Sequence, residues 1–324
     1  MRVFGRLSQE QIVFGLAVLL TIGFALTLPG FLTANNLLNL VRSVSILGIL
    51  GVAMGLVVIG RGIDLSLVAL MAISVAWALQ LAAGGYPLWL ALALGLGFSL
   101  AVGMINGWLI AYVEIPAIFA TLAMGAAIYG FGRYFMFSLD VLYMSDNARP
   151  LEALGQGSLF GVPAPIYLFA AVCLVTYLFL RYTAQGRYLR AVGDNLQTAR
   201  ITGAPVRPII VLQYMISSLI GFVAGLVTAA SVASMNTRVA NSTMVYDVIL
   251  VVVLGGIGLS GGRGGVRNVV VGTLLIGVLL NGMTIMDIQY TVQNVIKGVI
   301  LLAAIVIDTL LNPRDEQTAQ QGDI

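Results

Sequence analysis

The chain has 324 residues, of which 60% are hydrophobic and only 9% are charged, and its formal net charge is +3. Soluble globular domains carry about 25% charged residues, so this composition excludes an ordinary soluble domain and predicts a protein embedded in lipid. Histidine does not occur, which excludes histidine-based catalysis, metal ligation and proton relay. No basic run is interleaved with aromatic residues, so a nucleic-acid surface is also excluded.

Ten apolar segments of helical length follow one another along the chain. Between Leu65 and Val113 the chain runs 49 residues without a charged side chain, which is enough for two crossings of a bilayer. Segments of this length favour helices over barrel strands. The sequence therefore predicts an all-α, polytopic membrane helical bundle of about ten transmembrane helices, built as a single transmembrane domain over residues 1–324. The predicted spans are 11–31, 44–60, 65–83, 88–111, 117–138, 165–182, 209–233, 244–258, 268–286 and 296–311.

The placement of arginine predicts the orientation of this bundle, because inner loops of membrane proteins are enriched in positive charge. With the amino terminus inside, ten arginines fall on inner connections and three on outer ones. The longest outer loop, 139–164, carries three carboxylates against one arginine. An even number of spans then places both termini in the cytoplasm, with a short tail, 312–324, after the last span.

The most polar internal segment is 183–208, which this orientation places in the cytoplasm. Asp194 and Asn195 are of the residue types that cap helices, and they predict a short helix over Leu196–Ile201 that Gly203 ends. Such a helix offers a surface for another protein. The alternative, which the residues alone favour, is an ordinary loop that carries positive charge on the inner side.

Five stretches, in order between about residues 35 and 308, resemble segments of one protein family. They are 60–66; Asn106-Gly107 with Ile115-Pro116-Ala117 and Thr121-Leu122; 186–203; 254–264; and Lys297-Gly298 with Asp308. On these motifs the chain resembles the permease family of ABC importers for ribose, xylose and related sugars. It departs from the family pattern at Arg61, which takes the place of a glycine, and in 241–247, which lacks a Glu-Leu pair before Asp247.

The resemblance implies a permease subunit of an ATP-driven importer for a monosaccharide, located in the inner membrane. Such a subunit works with a second permease chain, identical or different, with ABC ATPase subunits and with an extracytoplasmic sugar-binding protein. ATP and Mg belong to the ATPase, so we expect no cofactor, metal or catalytic residue in this chain. By the same resemblance, the segment 183–208 couples the permease to the ATPase through Arg187, Gly193, Asp194, Asn195, Ala199 and Gly203.

The sequence 259–263, Leu-Ser-Gly-Gly-Arg, looks like the signature of ABC ATPase domains. That signature works only beside a phosphate-binding loop that contains a lysine. The only lysine of the chain, Lys297, follows no glycine at the required spacing. ATP hydrolysis by that route is therefore excluded, and these glycines are typical of a tight turn between close helices.

Three polar residues in apolar surroundings are candidates for the substrate path: Asp64, Asn106 and Asp247. Asp64 either faces the path or forms a structural pair with Arg61. Asn106, like Asn281, either binds hydroxyls or joins helices, and the second role is the more common one. Asp247 begins an apolar run, where it serves either as the mouth of the path or as an interfacial anchor.

Lys297 allows two interpretations. If the last span begins near residue 296, Lys297 lies at its outer end and extends its ammonium group to the interface. If one helix covers 287–307, the lysine is buried and needs a partner such as Asp287. We expect the first, because 289–294 is polar for a membrane centre.

Other functions remain open at this point. The same machinery could import a small solute that is not a sugar. A stand-alone secondary transporter is a weaker alternative, because such proteins usually keep intramembrane carboxylates or histidines for ion coupling. An integral membrane enzyme or scaffold has the least support, since the chain has no histidine and no paired-carboxylate motif.

Overall fold

The computed structural model describes residues 9–311, so the predicted tail, 312–324, lies outside the described residues. Each of the ten predicted apolar segments contains a helix. The main helices are α1 (Gln9–Thr27), α2 (Ala34–Ile59), α3 (Leu67–Ala83), α4 (Leu88–Ala111), α5 (Ala117–Phe131), α6 (Glu152–Gln156), α7 (Ala164–Tyr182), α8 (Ala184–Asp194), α9 (Leu196–Ile201), α10 (Val206–Val232), α11 (Met244–Leu254), α12 (Val266–Ile285) and α13 (Tyr290–Leu311).

The chain is a polytopic helical membrane protein. Six helices of the described part are long and apolar enough to cross a membrane, namely α1, α2, α4, α7, α10 and α12. Helices α3 and α11 and the segment Tyr290–Val306 of α13 are apolar but shorter. The strands within 9–311 are confined to two short antiparallel pairs: β1 (Val141–Tyr143) with β4 (Ser234–Asn236), and β2 (Ser158–Leu159) with β3 (Val162–Pro163).

Helices α2 and α3 form the centre of the bundle. The carboxyl-terminal half of α2 and nearly all of α3 are buried. Helix α10 packs against α2, α3 and α4, while α1 packs on α12 and α7 packs on α2. Glycines permit these close approaches, because the Cβ that Gly107 of α4 lacks would lie 2.5 Å from the Cα of Val211 on α10.

The loops collect at two ends of the bundle. At one end, which we call the glycine end, the turn after α2, the segment α8–α9 and the loop 255–265 meet. There the Gly262 amide donates to the Ile59 carbonyl at 2.8 Å, and Arg190 donates to the Gly264 carbonyl at 3.0 Å. At the other end, the strand end, β1 and β4 pair, and Asp140 forms ion pairs with Arg133 and with Arg238.

The structure overturns the expected position of Lys297. Helix α13 runs without a break from Tyr290, so Lys297 lies about two turns inside it and is only 6% exposed. Its partner is Asp247 of α11, at 2.7 Å, and not Asp287, which follows the end of α12. The polar residues before Lys297 continue the helix instead of preceding it, which is why the snorkelling position is wrong.

Candidate functional site

The polar segment between α7 and α10 folds as two short helices. Thr183 caps α8 by accepting a hydrogen bond from the Gly186 amide at 3.0 Å, and Asn195 caps α9 by accepting from the Thr198 amide at 2.9 Å. The helix predicted over Leu196–Ile201 is confirmed, and Gly203 follows it with a φ of +82°. Helix α8 was not predicted. Its signal was the apolar spacing of Leu189 and Val192 after the Thr183 cap.

The residues predicted to couple this segment to an ATPase divide into two groups. Gly193 and Ala199 are buried and face the bundle, so they position the helices and present no surface to a partner. The others are exposed: Arg187, Asp194, Asn195 and Gly203. Sequence reasoning missed Ile201, the last residue of α9, which is 86% exposed. An apolar residue between Arg200 and Thr202 at a polar end of the molecule was the available signal.

Asp64 is fully buried in the turn between α2 and α3, where hydroxyl groups hold it. Its Oδ1 accepts hydrogen bonds from the Ser66 amide at 3.1 Å and the Ser66 hydroxyl at 2.6 Å, and its Oδ2 accepts from the Ser217 hydroxyl at 3.1 Å. The Asn106 amide nitrogen donates to Ser66 Oγ at 2.9 Å. We call Asp64, Ser66, Asn106 and Ser217 the Asp64 cluster; it joins the turn to α4 and α10.

The surroundings of Asp64 determine the pKa of its carboxyl group. Burial raises the pKa of its carboxyl above the usual range, while the hydrogen bonds from Ser66 and Ser217 lower that pKa in part. No ion pair within residues 9–311 joins Asp64 to Arg61, so the alternative of a structural pair with Arg61 is wrong. The Asp-x-Ser spacing could have indicated Ser66. Nothing local in the sequence indicated Ser217, which is 153 residues away.

A cleft of about 440 Å³ opens beside this cluster at the glycine end. It lies between the turn after α2, the connection from α4 to α5, helix α9 and the start of α10. Glu114 and Arg207 form an ion pair of 3.1 Å on its wall, and Arg61 and Arg200 also line it. Among the described residues, no group of three or more acidic or cysteine side chains is placed to hold a metal ion.

Asp247 lies in the first turn of α11 and belongs to a different cluster near the strand end. Besides its ion pair with Lys297, this cluster contains Thr243, which hydrogen bonds with the Tyr290 hydroxyl at 2.7 Å and donates to Asn294 at 3.2 Å. The Lys297 ammonium lies 5.6 Å from the centre of the Tyr290 ring. We call these five residues the Asp247 cluster; it joins α13 to the start of α11.

Comparison with known proteins places the chain in a family. The model of the branched-chain amino acid transport system / permease component family matches residues 36–305. The chain belongs to this family. It is 31% identical to the ribose import permease protein RbsC of Escherichia coli strain K12 over 303 residues, which are 93% of the chain and 94% of that relative.

Two further relatives come from the same organism. The L-arabinose transport system permease protein AraH is 31% identical over 310 residues, 94% of this chain and 92% of its own. The probable ABC transporter permease protein YphD is 34% identical over 297 residues, 91% of this chain and 87% of its own. No solved structure matches the chain.

In this permease component the three predicted path residues do not form one site. Asp64 and Asn106 come together through Ser66, whereas Asp247 lies in the other cluster. Asp64 and Asn106 are both fully buried, so neither borders an open cavity in this conformation. Both clusters join helices to each other, which is the arrangement that polar side chains commonly adopt inside membranes.

Proposed function

We propose that this permease component is the transmembrane subunit of an ATP-driven importer for a monosaccharide. The observation that supports this most strongly is the similarity, over more than nine-tenths of the chain, to proteins named for ribose import and L-arabinose transport. In this proposal the chain supplies the translocation path, and separate ATPase subunits bind ATP and Mg and supply the free energy. The chain itself binds no cofactor and catalyses no reaction.

The proposed topology has ten spans in a single domain over residues 1–324, with the glycine end and both termini in the cytoplasm. The distribution of arginine supports it, since inner loops of membrane proteins are enriched in arginine and lysine. The strand-end loops carry Arg133, Arg149 and Arg238, each paired with an aspartate. The loops of the glycine end carry Arg61, Arg187, Arg190, Arg200, Arg207, Arg263 and Arg267. The membrane is then the inner membrane of the cell.

Helices α8 and α9 form the surface that docks on an ATPase subunit in this proposal. Exposed Ile201 is an apolar anchor that a pocket of the partner would bury, and exposed polar residues surround it, as in the centre and rim of a protein interface. A second permease chain, identical or different, completes the transporter in the membrane. An extracytoplasmic sugar-binding protein delivers the sugar to the strand end.

The test is uptake by the assembled transporter. The chain is reconstituted in liposomes with its ATPase and its sugar-binding protein, and entry of labelled ribose or arabinose is measured with and without ATP. We expect uptake that requires ATP, and we expect Ile201→Asp to reduce sugar-stimulated ATP hydrolysis by about tenfold, which corresponds to about 1.4 kcal/mol of docking free energy. The conservative Ile201→Val should retain it.

Three results would contradict the proposal. Uptake by this chain alone, driven by a proton gradient, would make it a secondary transporter. ATP-dependent uptake of leucine without any sugar uptake would assign the same machinery to an amino acid, the solute class in the family description. Equal ATP hydrolysis by Ile201→Asp and Ile201→Val would exclude α9 as the docking surface.

A further inference from the structure

Three segments of the chain meet backbone to backbone at the glycine end. Gly193, near the end of α8, lies directly against the carbonyl oxygen of Ile59, the last residue of α2, so that no side chain fits at 193. The Gly262 amide donates to that same carbonyl at 2.8 Å. The Cβ that Gly261 lacks would lie 2.9 Å from the carbonyl oxygen of Gly193. We call Gly193, Ile59, Gly261 and Gly262 the glycine junction.

The glycine junction is a rigid contact. Elsewhere in a protein interior a side chain can change its rotamer when two elements shift, but here main-chain atoms touch and no side chain lies between them. A displacement of α8 therefore moves the end of α2 with it. Densely packed interiors transmit such strain because they have little compressibility.

The turn that follows Ile59 carries this displacement to α10. The Gln213 amide of α10 packs directly on Gly60, and Tyr214 donates to the Ile63 carbonyl at 3.4 Å. One residue later, Asp64 accepts the hydrogen bond from Ser217 of α10. Backbone and side-chain contacts thus lead from the surface helix α9 through α8 to the buried carboxylate.

The Asp64 cluster has an unused acceptor. Asn106 Oδ1 is buried and has no hydrogen-bond partner within the described residues, although the nitrogen of the same amide donates to Ser66. Rotation of this amide by half a turn would let Ser66 Oγ donate to Asn106 instead of to Asp64. Because a buried acceptor without a partner is unfavourable, we expect this flipped arrangement to compete with the present one.

We infer that the glycine junction and the Asp64 cluster form one mechanical link between the docking surface and the membrane helices. A displacement of α8–α9 moves the turn 60–66 and switches the Ser66 hydrogen bond between Asp64 and Asn106, which shifts α4 against α10. Gly193 and Asn106 act as positioning residues at the two ends of the link, and neither needs to touch the sugar. The inference rests on the proposed function, because it supplies the route from ATPase docking to the translocation path.

The test measures the coupling ratio, defined as sugar-stimulated ATP molecules hydrolysed per sugar molecule imported by the complete reconstituted transporter. In Gly193→Ala the new methyl group pushes α8 away from Ile59, and we expect the ratio to rise about tenfold, within the usual range of coupling between distant sites. The matched control is Gly97→Ala in α4, where the added methyl group meets no atom within 4 Å. That control should keep the wild-type ratio.

A second variant addresses the other end of the link and does not crowd the backbone. Asn106→Leu removes the unused acceptor and the hydrogen bond donated to Ser66 Oγ, but it leaves all three hydrogen bonds to Asp64 in place. We expect the coupling ratio to rise about tenfold in this variant as well. If the two variants break one link, the double variant Gly193→Ala with Asn106→Leu should be no worse than either alone, whereas independent effects would multiply to about a hundredfold.

The outcomes separate this inference from the proposed function. A wild-type transporter without ATP-dependent sugar uptake would overturn both. If the wild type takes up sugar normally, two results would overturn the mechanical link alone. One is an unchanged coupling ratio in both single variants, and the other is a rise in the double variant that equals the product of the two single rises. A raised apparent KM for sugar in Asn106→Leu, at an unchanged ratio, would instead place Asn106 on the translocation path and would also overturn the link.

Discussion

The Asp64 cluster and the Asp247 cluster each hold an aspartate in apolar surroundings, but with different kinds of partner. Asp64 is held by hydroxyl and amide donors of Ser66 and Ser217, and none of the ion pairs within residues 9–311 includes it. Asp247 is held by the ammonium group of Lys297 at 2.7 Å. Neutral donors can exchange partners at modest cost, whereas two charges cannot be separated easily where the dielectric is low.

This difference matches the positions of the two clusters. The Asp64 cluster adjoins the segments that we propose to receive the movement of the ATPase, so a rearrangement there is useful. The Asp247 cluster fastens the last helix, α13, to the start of α11. We therefore interpret the Asp247 cluster as a fixed contact between helices and the Asp64 cluster as a contact that can rearrange. The following predictions test that distinction through the free energy of unfolding.

The largest effect is expected from Lys297→Met. Methionine fills similar space, but it leaves the Asp247 carboxylate largely buried without a counter-charge. Removal of one partner from a buried ion pair costs about 3–5 kcal/mol. The free energy of unfolding of the purified protein, measured by denaturant titration in detergent micelles, should fall by that amount.

The double variant Asp247→Asn with Lys297→Met is the control for this prediction. It removes both charges, and neutral replacement of a buried pair is often close to neutral in stability. Most of the lost free energy should return. A double variant as unstable as Lys297→Met would mean that packing, and not charge, holds α13 to α11.

A smaller effect is expected from Asp64→Asn. The new amide oxygen can still accept from Ser66, and the new amide nitrogen can donate to the Ser217 hydroxyl, so about 1 kcal/mol should be lost. Asp247→Asn is the matched variant, and it should lose about 3 kcal/mol because it leaves the Lys297 ammonium buried and unpaired. Equal losses in the same unfolding titration would remove the distinction between the two clusters.

The sequence predicted the helices far better than it predicted these clusters. Hydropathy is a local property, so the apolar segments were visible along the chain, and the Asn195 cap placed α9 correctly. Helix α8 was missed because six of its 11 residues are exposed, so its apolar face is narrow. Asp64 and Asp247 gave the same signal, an acid in apolar surroundings, although their structural roles differ.

The structural role of each aspartate depends on the residues that it contacts, and those residues lie far from it in the sequence. Lys297 is 50 residues from Asp247, and Ser217 is 153 residues from Asp64. Helix packing brings them together, and no spacing rule within one segment predicts it. The same is true of Gly193, whose close approach to Ile59 depends on how α8 folds back onto the end of α2.

The smallest effect is expected where neutral amides join two helices without any charge. Asn36 of α2 and Asn281 of α12 exchange hydrogen bonds of 3.0 and 2.8 Å. A double-mutant cycle with Asn36→Ala and Asn281→Ala should give a coupling free energy of about 0.6 kcal/mol, because such bonds are weak on average in membrane proteins. A value above about 2 kcal/mol would show that neutral amides fasten these helices as firmly as the Asp247–Lys297 pair fastens α11 and α13, and charge would then not distinguish fixed from adjustable contacts.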